Sequence, residues 1–265
     1  MSACSVVPSA AKRIAAADAK AEQLGWQGKM IETGRFLLRS YYSVDMKPAS
    51  FLTIYIEGDG LAWLTRTLPS SDPTPITTLV LQMAINQPEG NALYLGRPCQ
   101  YTLDVDGDCR PAHWLGSRFS NEIIISMDQA VTLLKERFQA DWINLVGYSG
   151  GASIATLLAA RRDDIHFLVT VAGNLDHQAW SDWHRITPLT DSLNPADFID
   201  EIRVTRQFHL LGENDKNIPP SLIRAVLSKR SEHHDAEVRV VPGYTHHCCW
   251  AEGWPDLWRN GLQAD

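Results

Sequence analysis

No stretch of this chain is apolar for long enough to cross a bilayer. The most apolar segments, such as residues 143–146 and 167–172, fall far short of the roughly 20 residues a spanning helix needs. Basic residues are also scarce: 24 Lys and Arg stand against 31 Asp and Glu, a formal net charge of -7. With no basic run, the chain lacks the clustered cations that a nucleic-acid backbone requires. Metal-ligand spacing is missing as well, because Cys4, Cys99, Cys109, Cys248 and Cys249 form neither a CxxC pair nor a Cys/His set of the zinc type. No repeat, low-complexity tract or Gly/Ser-rich linker divides the 265 residues. One soluble domain with a sizeable core is therefore expected, with no transmembrane segment, nucleic-acid partner or metal.

The cysteines that are present carry other expectations. Cys99 and Cys109 flank a polar loop, and a disulfide there would offset much of the loop's ordering entropy. Cys248 and Cys249 read either as a vicinal disulfide or as two buried thiols. A Cys/His nucleophile is a weak alternative, since neither cysteine follows a strand-turn signal. Residues 1–5, Met-Ser-Ala-Cys-Ser, resemble the end of a bacterial lipoprotein signal, although no charged or apolar region precedes them. A lipid anchor at Cys4 is expected only if an upstream signal exists. A periplasmic or lipid-anchored envelope location is preferred to a cytoplasmic one, and a Cys99–Cys109 bond would support it.

Apolar, β-branched strands alternate with helical periodicity. An Ala-rich exposed helix is expected over 8–24, within an N-terminal helical segment 1–33. From residue 34 onward, strands are expected at 36–44, 51–57, 92–95, 142–148, 165–172, 206–211 and 237–241. Helices are expected from Asp72-Pro73 to Asn86, from Ser120, at 151–162 and at 221–230, with an amphipathic end at 249–262. Residues 174–200, with Trp180 and Trp183, read as an irregular insertion that shapes a pocket, and Trp63 and Trp114 as further apolar surface. Continuous rather than alternating apolar strands separated by helices imply a mostly parallel sheet covered on both faces, an α/β fold.

Four motifs carry chemistry. The apolar stretch 143–148 runs into Gly147-Tyr148-Ser149-Gly150-Gly151 and then into an Ala/Leu-rich helix, which is the strand, turn and helix of a nucleophile elbow. Small residues flank the serine because strand and helix backbones approach too closely there for a Cβ, and the helix N-terminus favours developing negative charge. A strand ending in Glu57-Gly58-Asp59-Gly60, an acid loop Gly212-Glu213-Asn214-Asp215-Lys216-Asn217-Ile218-Pro219, and Pro242-Gly243-Tyr244-Thr245-His246-His247 complete the set.

With these motifs the chain resembles the α/β-hydrolase superfamily from about residue 34 to its end. It is most similar to a bacterial serine-hydrolase branch that shares EGDGLAWL, PSSDPTP, RPCQY and VAGNLD. The resemblance implies an α/β-hydrolase fold, acyl transfer to serine and then to water, and no metal or organic cofactor. Its chain order places the acid and then the imidazole after Ser149. Asp215 is accordingly the expected orienting acid, with Glu213 as fallback. His246 is the expected base because its Gly-x-x-His spacing matches the family, with His247 as the alternative. The other histidines, including His233 and His234, read as surface or core residues.

The oxyanion donors implied are the N–H groups of Gly150 and Asp59, with Gly60 as runner-up. An Asp59 carboxylate facing an oxyanion would repel it, so its side chain is expected to turn away toward Arg97 or Arg118. The leading expectation is a serine hydrolase of carboxylic esters. A peptidase or amidase of the same fold and a non-catalytic binding protein are the alternatives, and the partner in each enzymatic case is a small-molecule ester or amide.

Overall fold

A computed structural model describes residues 7–103, 107–202, 206–229 and 236–262; Cys4, His233, His234 and the end of the helix expected to reach Arg230 lie outside them. Eight strands form one sheet in the order β1-β2-β4-β3-β5-β6-β7-β8. These are β1 (Trp26–Glu32), β2 (Leu37–Ser43), β3 (Phe51–Ile56), β4 (Asn91–Leu95), β5 (Trp142–Tyr148), β6 (Ile165–Val171), β7 (Arg206–Gly212) and β8 (Ala236–Val241). β2 pairs antiparallel with β1 and with β4, and all other pairings are parallel.

Among the described residues seven α-helices accompany the strands: α1 (Ala10–Gln23), α2 (Leu79–Ile85), α3 (Asn121–Arg137), α4 (Gly150–Ala159), α5 (His177–His184), α6 (Pro220–Leu227) and α7 (Trp250–Arg259). Alternation along each strand sends neighbouring side chains to opposite faces. Leu38, Ile54, Leu93, Leu145 and Leu168 therefore pack with α3, α4 and α6, while Tyr41, Tyr55, Tyr94, Val146 and Val169 pack with α1, α2 and α7. No helix among the described residues is long and apolar enough to cross a membrane.

Four local expectations are corrected. β1 lies inside the segment expected to be helical; with Gln27, Lys29 and Glu32 interspersed it has no clear apolar period, and its register with β2 from Trp26↔Ser43 to Glu32↔Leu37 defines it instead. α1 is not exposed all round, because Arg13, Ala17 and Ala21 are buried along one face. The Asp-Pro signal at 72–73 opens no helix. Asp72 Oδ1 instead accepts from Thr74 N–H and pairs with Arg13, and α2 begins only at Leu79. The segment 174–200 is more regular than expected, since it contains α5, capped by the Asp176 side chain on Gln178 and Ala179 N–H.

Candidate active site

β5 delivers Ser149 at the carboxyl edge of the sheet, where its φ of 52° and ψ of -118° make it the N-cap of α4. Left-handed φ at a non-glycine residue costs on the order of 1–3 kcal/mol and persists only where surrounding bonds enforce it. Here Ser149 N–H donates to Val171 O, while Ser149 O accepts from Ala152 and Asn174 N–H. The flanking glycines are obligatory for a steric reason. A Cβ on Gly147 would lie 2.5 Å from Ala152 Cα, and one on Gly151 would enter the carbonyl groups of Ile56 and Glu57.

Asp215, in the turn after β7, has a side chain with no solvent exposure. Its Oδ1 accepts from the N–H groups of Asn217 and Ile218, each at 2.8 Å, and its Oδ2 lies 2.8 Å from His246 Nδ1. A carboxylate held this way fixes the tautomer with the proton on Nδ1, leaving Nε2 as the acceptor. Nε2 is 3.0 Å from Ser149 Oγ. The structure thus brings Ser149, His246 and Asp215 together in one chain of contacts.

The two alternatives sit elsewhere. His247 Nδ1 is 3.0 Å from the Tyr148 hydroxyl, and its pKa is lowered first by burial and then by the neighbouring His246. Glu213 accepts from Gly243 N–H and so ties the acid loop to the turn after β8; no contact joins it to the imidazole.

The loop after β3 approaches the elbow from the other side. Asp59 Oδ1 pairs with Arg97 Nη1 at 2.5 Å and Oδ2 with Arg118 Nη1 at 2.6 Å, so it binds both of the arginines considered from sequence. Its carboxylate nevertheless does not swing clear of the elbow: a Cβ on Gly150 would strike Asp59 Oδ1 and Cγ. Burial would raise its pKa, but Arg118 and Arg97 outweigh that and hold it at about 2.

The same arginines brace the long loop after β4. Arg97 Nη2 donates to Arg118 O, Arg118 Nε donates to Leu115 O, and Gln100 Nε2 donates to Gly58 O. Cys99 and Cys109 are joined by a disulfide within this loop, and Cys248 and Cys249 by a vicinal one.

Two cavities meet at the site. One of about 390 Å³ is bordered by Glu57, Gly58, Asp59, Gly60, Ser149, Asn217, His246 and His247. A larger one of about 770 Å³ adjoins it and shares Asn217. Trp63 and Trp180 border the larger cavity. Trp114 is instead a core residue whose indole donates to Ser70 O, and Trp183 is 57% exposed. No group of three or more His, Cys, Asp or Glu among the described residues could hold a metal ion.

Two participants carried no role in the sequence reading. Asn217 Nδ2 lies 3.0 Å from His246 Nε2, alongside Ser149 Oγ. Its position two residues after the acid is the only sequence signal for it. Glu57 is 4% exposed, with Oε1 accepting from Gly58 N–H and Oε2 from the Tyr94 hydroxyl.

No protein-family model matches the chain, and no curated protein matches it. Solved structures do. Est1E from Butyrivibrio proteoclasticus superposes with a TM-score of 0.61 at 13% identity, over 89% of this chain and 97% of that one. The Pyrococcus furiosus esterase Pf2001 gives 0.62 at 12% identity, over 91% and 90%. An alpha-beta serine hydrolase homologue from Coxiella burnetii gives 0.60 at 13%, over 88% and 94%. Likeness at such low identity speaks for architecture, and with the eight-stranded, mostly parallel sheet and its helices on both faces it shows that this chain has the α/β-hydrolase fold.

Proposed function

We propose that the protein is a serine hydrolase that cleaves carboxylic esters through an acyl-enzyme intermediate. The observation that carries this reading is the unbroken line from Asp215 Oδ2 through His246 to Ser149 Oγ, at 2.8 and 3.0 Å, ending on a serine held at left-handed φ at the N-terminus of α4.

In the acylation step Ser149 Oγ forms a bond to the ester carbonyl carbon while its proton passes to His246 Nε2. The carbonyl electron pair moves to oxygen, and the N–H groups of Gly150 and Asp59 accommodate the oxyanion. Collapse breaks the bond to the leaving alkoxide, which takes the proton from Nε2. Water then repeats the sequence on the acyl-serine and releases the acid. Asp215 holds the Nδ1 proton and stabilises the imidazolium that forms in both halves. No cofactor enters either half.

Ester rather than amide cleavage is supported by the neighbours of this fold. Pf2001 is described as an esterase, and Est1E has been solved with ferulic acid bound. The Cys99–Cys109 disulfide supports an oxidising compartment.

The test is covalent labelling with a fluorophosphonate together with hydrolysis of 4-nitrophenyl acetate. Wild type is expected to label and turn over, and Ser149→Ala to do neither. A folded wild type that neither labels nor hydrolyses esters overturns the proposal in favour of a non-catalytic protein.

A further inference from the structure

The larger cavity has a charge that its surroundings do not predict. The chain carries a formal charge of -7, yet no Asp or Glu borders these 770 Å³, whereas Arg66 and Arg118 do. Arg66 makes no ion pair among the described residues and sits in an exposed loop. Arg118 shares a single ion-paired carboxylate, Asp59, with Arg97, so those three side chains together carry one cation in excess, with Glu57 the further acid that acts on Arg97. The nearby acid, Glu57, lies on the tyrosine side of the sheet edge, bonded to Tyr94.

Much of the remaining wall is apolar. Trp63, Trp180, Leu115 and Leu189 supply it. The Trp180 indole N–H and His184 Nε2 both lie against Asn217 O, at 3.1 and 2.8 Å. The aromatic wall is thereby tied to the loop that carries Asp215, and Asn217 forms the partition with the Ser149 cavity. A cavity of this size takes a ring-sized apolar group. Arginine is the side chain suited to a carboxylate or phosphate on that group, because its fork donates two parallel hydrogen bonds.

We infer that the larger cavity is a substrate subsite for an apolar group bearing an anionic substituent, so that the preferred esters are anionic amphiphiles. The inference rests on the hydrolase reading for its connection to turnover, but the binding it requires is separate from it.

Two measurements keep them apart. In the first, kcat/KM is compared for a 4-nitrophenyl half-ester of a dicarboxylic acid and for its neutral methyl-capped counterpart of equal length. The free carboxylate is expected to be preferred about fivefold, the scale of one partly exposed charge pair. The preference should shrink as salt is added and vanish or invert in Arg66→Glu. In the second, wild-type tryptophan fluorescence is titrated with 4-phenylbutanoate, 4-phenylbutyl phosphate and neutral 4-phenylbutanol. Tighter binding of either anion supports the subsite, and the comparison of the two shows which anion it takes. Equal binding of all three, or ester turnover with no preference for the half-ester, overturns the inference. Anion binding without any ester turnover leaves the subsite standing and overturns only the hydrolase reading.

Discussion

Replacing Glu57 by Gln should make the protein more stable at neutral pH, by an amount that depends on pH in a defined way. The Glu57 carboxyl is buried at the end of β3 and accepts from Gly58 N–H and the Tyr94 hydroxyl. Burial is the largest influence on it and outweighs both hydrogen bonds and the more distant Arg97, raising its pKa from 4.5 to about 7. In the unfolded chain the proton leaves near the ordinary value, whereas in the folded chain it is retained up to about 7. Folding therefore becomes less favourable as pH rises between those limits, and is unaffected by this group below or above them. At about 1.4 kcal/mol per pH unit, the ionised group costs the folded state about 3 kcal/mol once pH exceeds 7. Gln has the shape of the protonated carboxyl and no such cost. Urea unfolding of both proteins, followed by tryptophan fluorescence at pH 4.5, 6 and 8, isolates the effect, because every other titrating group is common to the pair. The stability difference should grow by about 3 kcal/mol in favour of Glu57→Gln across that range. Parallel curves for the two proteins would refute the assignment of burial as the dominant influence.

Three further outcomes are expected. Asp215→Asn keeps an acceptor for the N–H groups of Asn217 and Ile218 but faces His246 Nδ1 with an amide, so kcat for 4-nitrophenyl acetate should fall by about 10³–10⁴; a loss under tenfold would remove Asp215 from its role. The double variant Cys99→Ala/Cys109→Ala opens a loop whose ends are 10 residues apart, and urea unfolding should register a loss of about 3 kcal/mol from chain entropy alone, an unchanged midpoint being the contrary result. Gly151→Ala places a Cβ against the backbone of Ile56 and Glu57, where no side chain can yield. A drop of roughly 3 kcal/mol or more in stability, with loss of fluorophosphonate labelling, is the expected reading, and a variant as stable and as reactive as wild type would contradict it.

The parts of the site that were legible in the sequence are those fixed by neighbours along the chain. The elbow follows from an apolar strand, Gly147, Gly151 and an Ala-rich helix within one stretch, and the same local forces set them in the structure. Asp215 and His246 were picked out because each lies in a loop after a recognisable strand in the chain order of the resembled family, with the Gly-x-x-His spacing of that family favouring His246 over His247. What escaped depends on contacts across the fold. β1 is an edge strand whose polar residues face solvent, so only its pairing with β2 makes it a strand. The Asp72-Pro73 pair has the local chemistry of a helix start, but Arg13 from α1 takes hold of it first. Asn217 and Glu57 acquire their surroundings from His246, 29 residues away, and Tyr94, 37 away, and no local spacing announces either.

A carboxylate beside the proposed oxyanion site would be a liability unless its charge were cancelled, and Asp59 is paired with two arginines. Two guanidiniums on one carboxylate leave that trio positive overall, so on the proposed mechanism its net field would favour the anion formed during acylation even though Asp59 packs against Gly150. The hydrogen bonds of Arg97 and Arg118 to the backbone at 115–118 prevent them from following the charge, which is the condition for an electrostatic contribution that needs no reorganisation during reaction. The loop that supplies them is closed by Cys99–Cys109 and held to Gly58 through Gln100. Arg118 also faces the larger cavity. If both proposals hold, the positive charge beside the oxyanion loop is the same charge that would select an anionic group next door, so the two properties should change together in Arg118 variants, whereas Arg66 variants should change the second alone.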